Sequence, residues 1–589
     1  MKLKIILALM IVLAMAFAAC GENVEPTTPA APANQGGDTA ATNNDTATND
    51  ADVTTDADRP FYEFDMWWNY TWRTPSHQWG DDYTTQHWGS MFNIHMNQGN
   101  PDANAEEVLN LRIMADDLPD VIWMERGPQN MQMSQLGLFV PIDDMIAMVD
   151  NDWYNENIGE STRRMFEIDG VNYIIPNWSR VGTIGELGGS TGGNNAWMYT
   201  TSVWEAVGSP ELNTFEDLFD YAVAIRDANL TNPNGVPIIP ALVRADDSYG
   251  IMFVDAIYRS MGGVVDGWWF SILPDGTYGL HFRNPLWRDA VMEANRWHRE
   301  GLFPTTNLTQ TYDQFRENLM NGLGGLIFYD HSADDSNQFR RIHGEAFPGD
   351  SIELIIREYN GRSYTYLPAL GLSPSRIYHD HHGTLGWNGS FITTSAERPE
   401  RIFELLTWML TPLGSIEMMF GPQGVLWDEL DSDGFPILHT APSGLNSERR
   451  DEIGIWNWDF VGHANNVDNA KFAANNRLPE HERNWVETMQ ATIFSPNLRL
   501  TDEFALIPWS IEPGTDLAIA RTTIQDHFEE MMPQIIMAPT QAEAEALFDA
   551  VLAFAEANGV AGIEEVYNER FQANAAMQGG SIFRPPLTP

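Results

Sequence analysis

Large aromatic rings followed at once by planar polar side chains recur along this chain. A polyhydroxylated ring is held by that combination: an indole meets its C–H face, while amide, carboxylate or guanidinium groups meet its hydroxyls. Trp67-Trp68-Asn69-Tyr70-Thr71-Trp72 sets three indoles around an amide, Trp123-Met124-Glu125-Arg126 sets an indole beside an ionic pair, and Trp387-Asn388 joins an indole to an amide. The chain has 21 Trp and 17 Tyr, an excess that asks for a reason beyond the core. Strand alternation puts Trp67 and Asn69 on one face and Trp68 and Tyr70 on the other, so one of these faces is expected to be open. Each candidate has a competing reading as a packed core ring or a structural ion pair. Trp178, Trp197, Trp268, Trp269 and Trp427 follow turn signals and stand evenly between core and site.

Catalytic chemistry is harder to find. The 82 acidic residues guarantee chance pairs, so spacing singles out no acid and nucleophile of the kind glycoside hydrolysis uses. The phosphate-binding loop and His-Glu-x-x-His are both missing from the sequence. Glu429, Asp431, Asp433 and Gly434 stand at positions 1, 3, 5 and 6 of a calcium loop, but Thr440 occupies position 12, where a bidentate Glu is required, so a turn is favoured. No metal and no cofactor is expected.

The 82 acids face only 33 Lys+Arg, a formal net charge of −49. That balance excludes nucleic acid as a partner, because a phosphate backbone needs a clustered basic surface. Lys2, Lys4 and Lys471 are the only lysines, and the arginines stand singly or at most in pairs, as at Arg163-Arg164, Arg340-Arg341 and Arg449-Arg450, so no polybasic patch exists for a membrane surface. At about 150 residues per domain, 589 residues supply chain for more than one lobe.

Residues 1–19 carry Lys2 and Lys4, an apolar run from Ile5 to Ala16, and small residues before Cys20, the pattern of a secretory signal. The apolar run falls short of the roughly 20 residues that span a bilayer. Residues 20–59 start with the chain's one cysteine and run on in Thr, Ala, Asn, Asp, Pro and Gly, which bury no core and, as a coil, reach roughly 35 Å. Residues 60–589 form the folded part.

Positioning the aromatic clusters calls for strands that end at them. Strands are expected at 61–70, 91–98, 119–123, 196–200, 237–243, 325–329 and 390–394. Between them, 103–115 places Val108, Leu111, Met114 and Ala115 on one helical face. Thr214-Phe215-Glu216-Asp217 opens a helix carrying Phe215, Leu218, Phe219, Ala222 and Ile225. Pro399 opens another, with Ile402, Leu405, Leu406 and Met409, and a last one carries Phe548, Val551, Leu552 and Ala555 before Gly559. The β, α, β order favours an α/β fold with a mainly parallel sheet and helices on both faces.

Several phrases, in order, resemble the extracellular solute-binding proteins (family 1) of bacterial carbohydrate ABC importers, in the large lipoprotein branch of Firmicutes. They are Asp117-Leu118-Pro119-Asp120-Val121-Ile122, Leu136 to Asp143, Asp169 to Pro176, Thr214 to Asp217, Glu300-Gly301-Leu302-Phe303, Gly324 to Phe328, Gly421 to Val425 and the tail through Val566-Tyr567-Asn568-Glu569. The position of Cys20 likewise resembles a lipobox, which implies cleavage before it and attachment of acyl chains. Two such chains, at about 0.8 kcal/mol per buried CH₂, hold a protein at a membrane.

The resemblance implies a two-lobed, periplasmic-binding-protein-like fold with a hinge and an interlobe cleft. It also implies a non-catalytic, monomeric substrate-binding component at the outer face of the cytoplasmic membrane, with permease subunits as partners and a sugar or oligosaccharide as ligand. The expected ligand-binding residues are Trp67, Trp68, Asn69, Trp72, Trp123, Glu125, Arg126, Tyr329, Asp330, Trp387 and Asn388, with Tyr329-Asp330-His331 ending a strand where the resembled proteins often place a cleft aromatic. A surface glycoside hydrolase or lyase, or a peptide-binding lipoprotein, is the alternative.

Overall fold

Four legs of chain build two α/β lobes. The computed structural model describes residues 59–577 apart from 72, 74–76, 150–152, 180–195, 213–214, 244–250, 261–268, 330–339, 341, 355–378, 382–384, 441, 443–444, 480–497, 501, 505, 508–509 and 513. All of the described residues belong to the unit that begins at Thr55.

The first leg lays down β1 (Tyr62–Trp68), α1 (Tyr83–Phe92), β2 (Ile94–Gly99), α2 (Ala105–Met114), β3 (Val121–Glu125), α3 (Pro128–Gln135) and β4 (Ile174–Asn177). In β1, Phe64, Met66, Trp67 and Trp68 are buried, because the strand lies inside the sheet with helices over it. Helix α1 was not expected from the sequence. It starts on the buried carboxylate of Asp82, which accepts the Thr85 amide at 2.8 Å and the Trp458 Nε1–H at 2.8 Å. Helix α2 forms where expected with a rotated face. Leu109 is buried and Arg112 lies 4.6 Å over the Trp67 ring, whereas Leu111 is 54% and Met114 75% exposed.

The second leg forms the other lobe: β5 (Ala196–Thr200), α4 (Phe215–Ala228), β6 (Ile239–Val243), α5 (Pro285–Arg299), β7 (Gly324–Tyr329) and β8 (Ile352–Leu354). Phe215, Leu218, Phe219, Ala222 and Ile225 of α4 are all buried, as their spacing predicts. The third leg returns to the first lobe with β9 (Asn388–Ile392), α6 (Pro399–Met409) and α7 (Pro412–Phe420), and the α6 positions Ile402, Leu405, Leu406 and Met409 are fully buried. The fourth leg ends in the second lobe with α8 (Asp516–Ile536), α9 (Gln541–Ala557) and α10 (Val560–Met577). Short strands on two of the connecting stretches, His379–His381 and Leu498–Leu500, pair in parallel.

The first sheet has the order β2-β1-β3-β9-β4, and the second β8-β5-β7-β6. The expectation of mainly parallel sheets needs correction, since both are mixed. Strand β9 runs antiparallel to β3 and β4, and β5 runs antiparallel to β7 and β8. Each antiparallel strand enters its sheet after a crossing between lobes, so its direction is set by the hinge and not by a local β-α-β turn. Each lobe has its own core: Trp68, Trp88, Trp123, Leu406 and Trp458 in the first, Trp197, Trp287, Trp297, Phe528 and Phe548 in the second.

Among the described residues no single helix is long and apolar enough to cross a membrane. Helices α9 and α10 pass that test only as a pair bent by 80°, and their apolar residues Phe548, Val551, Ile563 and Phe571 belong to the second core.

Candidate functional site

The carboxyl ends of β1, β3 and β4 and the first residue of β9 meet at one edge of the first sheet. Trp68 pairs with Trp123, and Asn388 pairs with Glu125 on one side and Asn177 on the other. The chain leaves for the second lobe just beyond Asn177 and returns just before Asn388, so this edge faces the crossing. In the second sheet Ala196 and Tyr329 pair at the corresponding edge. Ligands of open α/β sheets bind at such edges.

The expected aromatics fall into two groups. Trp68 and Trp123 are at most 1% exposed and Trp67 is 8% exposed, so the β1 alternation leaves neither face open. Trp123 packs edge-on against Trp68 at 5.2 Å, against Tyr70 at 4.7 Å and against Trp387 at 5.7 Å. Trp387 is half-buried and forms the upper layer of this stack. Asn69 accepts the Trp67 Nε1–H at 3.1 Å and donates to Gln129 at 3.1 Å. Buried Asn388 donates to the Tyr70 hydroxyl at 2.7 Å. Tyr329 ends β7 at the crossing edge, and Trp72, Asp330 and Cys20 lie outside the described residues. Of the five tryptophans left open between core and site, Trp197, Trp269 and Trp427 are buried, Trp268 lies outside the described residues, and Trp178 stands half-exposed at the edge.

Glu125 and Arg126 divide the polar work. The Arg126 fork donates to the carbonyls of Leu385 at 2.9 Å and Gly386 at 2.6 Å and so fastens the returning chain to β3. Glu125 is open to solvent, yet the protein around it desolvates its carboxyl and pushes its pKa up to about 7 against the pull of Arg126. A group both accessible and hemmed in belongs to the wall of a recess. Tyr70 is held above the usual phenol range, first by burial and then by the nearby negative charge of Glu125.

A loop from the third leg completes the edge: it brings Trp456, which sequence reasoning missed, to Trp178 at the end of the first leg, one of the tryptophans left open between core and site. Trp178 and Trp456 face each other with centroids 5.9 Å apart, both at positive φ (56° and 63°). A bulky residue in that region is strained by about 1–3 kcal/mol, and such strain collects at functional sites. Lys471 sits 4.6 Å from the Trp456 ring, and Arg73 ties the loop down by donating to the Trp456 carbonyl at 2.6 Å and pairing with Asp459. Asn177 donates to the Asp459 carbonyl at 2.7 Å. Trp178, directly after a strand-ending Pro-Asn, was among the rings the sequence left open between core and site, but nothing local marks Trp456.

Nε1 of Trp68 and Trp123 and Oδ1 of Asn177 and Asn388 are buried here without a partner among the described residues. Buried polar groups are ordinarily bonded, so a cluster of exceptions at one sheet edge marks a polar recess. Beside it, between the lobes, is a cavity of about 220 Å³ lined by Arg126, Glu167, Asp169 and Tyr173 of the first lobe and Ser510 and Arg570 of the second.

No metal site accompanies the recess: no group of three or more His, Cys, Asp or Glu among the described residues could hold an ion. In the loop that resembled a calcium site, Asp431 accepts the amides of Asp433 at 2.9 Å and Phe435 at 2.8 Å and pairs with Arg477, which makes it a turn.

No family model and no curated protein sequence matches the chain. Solved structures do match it. A Bifidobacterium longum infantis protein described as an HMO-binding solute binding protein associated with an ABC transporter superposes with a TM-score of 0.59 at 14% identity, over 87% of this chain and 99% of its own. The Streptococcus pneumoniae ABC-transporter substrate binding protein FusA, in complex with kestose, gives 0.59 at 14% identity over 87% and 99%. A second extracellular solute-binding protein from Bifidobacterium longum subsp. infantis gives 0.60 at 13% identity over 88% and 100%. At these identities the likeness is one of fold, that of the two-lobed solute-binding proteins.

Proposed function

We propose that this chain is the substrate-binding component of an ABC importer. It binds a sugar or oligosaccharide between its lobes and delivers it, chemically unchanged, to a permease. Its place is the outer face of the cytoplasmic membrane, where acyl chains on Cys20 anchor it and residues 21–59 tether it as a monomer. The observation that carries this reading is the edge of the first sheet. Half-exposed Trp178, Trp387 and Trp456, together with Glu125, stand where the chain crosses between lobes, and they offer the stacking faces and hydrogen-bonding groups that a sugar ring requires. The solute-binding fold of the matching structures supports it; one of those proteins is described as HMO-binding and another was solved in complex with kestose.

The test is tryptophan fluorescence and thermal shift of the protein against an oligosaccharide panel, with each bound sugar recovered and analysed. A saturable, sugar-specific rise in melting temperature with intact sugar is expected, because a ligand that binds the native state stabilises it by mass action. Cleaved sugar would replace transport with glycoside hydrolysis or lysis. Silence toward sugars with a response to peptides would overturn the substrate class.

A further inference from the structure

We propose that the cavity between the lobes is a subsite for one acidic sugar residue, with Arg570 taking its carboxylate, so that the ligand is an anionic oligosaccharide. This rests on the sugar-binding reading above. At about 220 Å³ the cavity is smaller than the roughly 300–1,000 Å³ of a pocket that swallows a whole ligand, and it adjoins the aromatic edge through Arg126. Its size suits one residue of a longer chain.

The second-lobe wall carries the argument. Arg570, on α10, is half-buried and lines the cavity with no hydrogen bond or ion pair among the described residues. Elsewhere in the same lobe arginines have acidic partners: Arg283 meets Glu564 at 2.8 Å and Arg296 meets Glu216 at 2.7 Å. Other described arginines bond carbonyls or amides, as Arg126, Arg299 and Arg401 do, whereas Arg570 has no polar partner at all among the described residues. Burial alone draws its pKa below the usual guanidinium value, and no neighbouring charge offsets that. Holding a desolvated cation unpaired is costly, and an anion arriving in the cavity removes the cost through a charge-assisted, bidentate contact.

The first-lobe wall selects among anions. Glu167 and Asp169 are exposed and line the same cavity, so a simple anion would be repelled from it. A sugar acid presents hydroxyl donors to those carboxylates and its own carboxylate to Arg570. The Tyr173 ring supplies an apolar surface, and Arg126, already bonded to two carbonyls, adds fixed positive charge.

The experiment compares wild type with Arg570→Gln, as purified full-length protein. The probes are oligogalacturonate, oligomannuronate and glucuronate-containing oligosaccharides, each beside its neutral counterpart, at low and high salt. The expected result is that the tightest binder is acidic and exceeds its neutral counterpart by about tenfold or more, as a charge-assisted contact implies. Arg570→Gln should abolish that advantage, leave neutral affinities unchanged, and melt no earlier than wild type without sugar.

Tightest binding by a neutral sugar, with Arg570→Gln indifferent, would overturn the proposal and leave the sugar-binding reading standing. Equal weakening of acidic and neutral sugars would also overturn it, and would make Arg570 a latch to Glu167 and Asp169 that acts on lobe closure. Failure of every sugar to bind would overturn the sugar-binding reading, and this inference with it.

Discussion

Glu125 is accessible and yet desolvated, and this has a measurable consequence. Its native pKa of about 7 lies above its ordinary 4.5, so between those values the folded chain keeps a proton that the unfolded chain releases. Its contribution to stability is therefore full below pH 4.5 and declines as the pH rises toward 7. Urea titrations across about pH 4 to 8 are expected to show wild type losing stability through that window relative to Glu125→Gln; parallel curves would refute the shift. The tryptophans separate in a second test. Trp123→Ala, in the core, is expected to cost about 3–5 kcal/mol of folding stability. Trp456→Gly relieves a positive φ and is expected to keep stability within about 1 kcal/mol while weakening sugar binding by about 1–3 kcal/mol. Titration calorimetry beside thermal melts distinguishes the two effects. The sequence made the rings at the strand ends legible, but not which were covered. Trp123 and Trp68 are roofed by Tyr70, Trp387 and Trp458, the last of them more than three hundred residues away in sequence, and no local pattern carries that information.

Among the elements, the return into β9 is the most constrained. Gly386 has φ +65°, and a Cβ there would lie 1.8 Å from the Asn177 carbonyl oxygen, a collision with backbone that no rotamer relieves. Gly386→Ala is expected to destabilise the fold by about 2 kcal/mol or more, measurable as a lowered urea midpoint, because the strand must move away from β4 or the crossing must be rebuilt. An unchanged midpoint would show that the crossing yields. Helices with a clear apolar stripe, α4 and α6, were legible to the residue. Helix α1 was hidden because it folds around the buried polar residues Asp82 and Thr84, whose partners Trp458 and the Ile453 carbonyl are distant in sequence, and α2 is rotated because Arg112, not an aliphatic side chain, covers Trp67. The directions of β5 and β9 were unreadable for a related reason: both are fixed by chain arriving from the other lobe.

At the scale of the molecule, the lobes invite two measurements. Small-angle scattering is expected to show a smaller radius of gyration with bound sugar than without, since a ligand shifts the open and closed populations only by preferring one of them. An unchanged radius at saturation would mean that the lobes are already closed. Cys20→Ala is expected to move the protein from the membrane fraction to the soluble fraction on cell fractionation, because one acylated residue supplies the attachment in the proposed arrangement. The lobed architecture was legible mainly through the order of its phrases along the chain. The cleft's second wall was not, because Arg570 stands in a helix whose sequence reads as ordinary amphipathic closure.

The interleaving of the legs also governs when the protein can fold. Neither lobe is a continuous stretch: the first core needs Leu406 and Trp458 from the third leg, and the second needs Phe528 and Phe548 from the last helices. A chain emerging from its N-terminus, whether from a ribosome or through a secretion channel, therefore completes no core until most of its length is out. Lateness of this kind keeps the nascent chain threadable, and it makes the final helices a checkpoint: a product cut short before α8 leaves Trp269 and Phe282 uncovered and exposes the half-built second lobe to proteases.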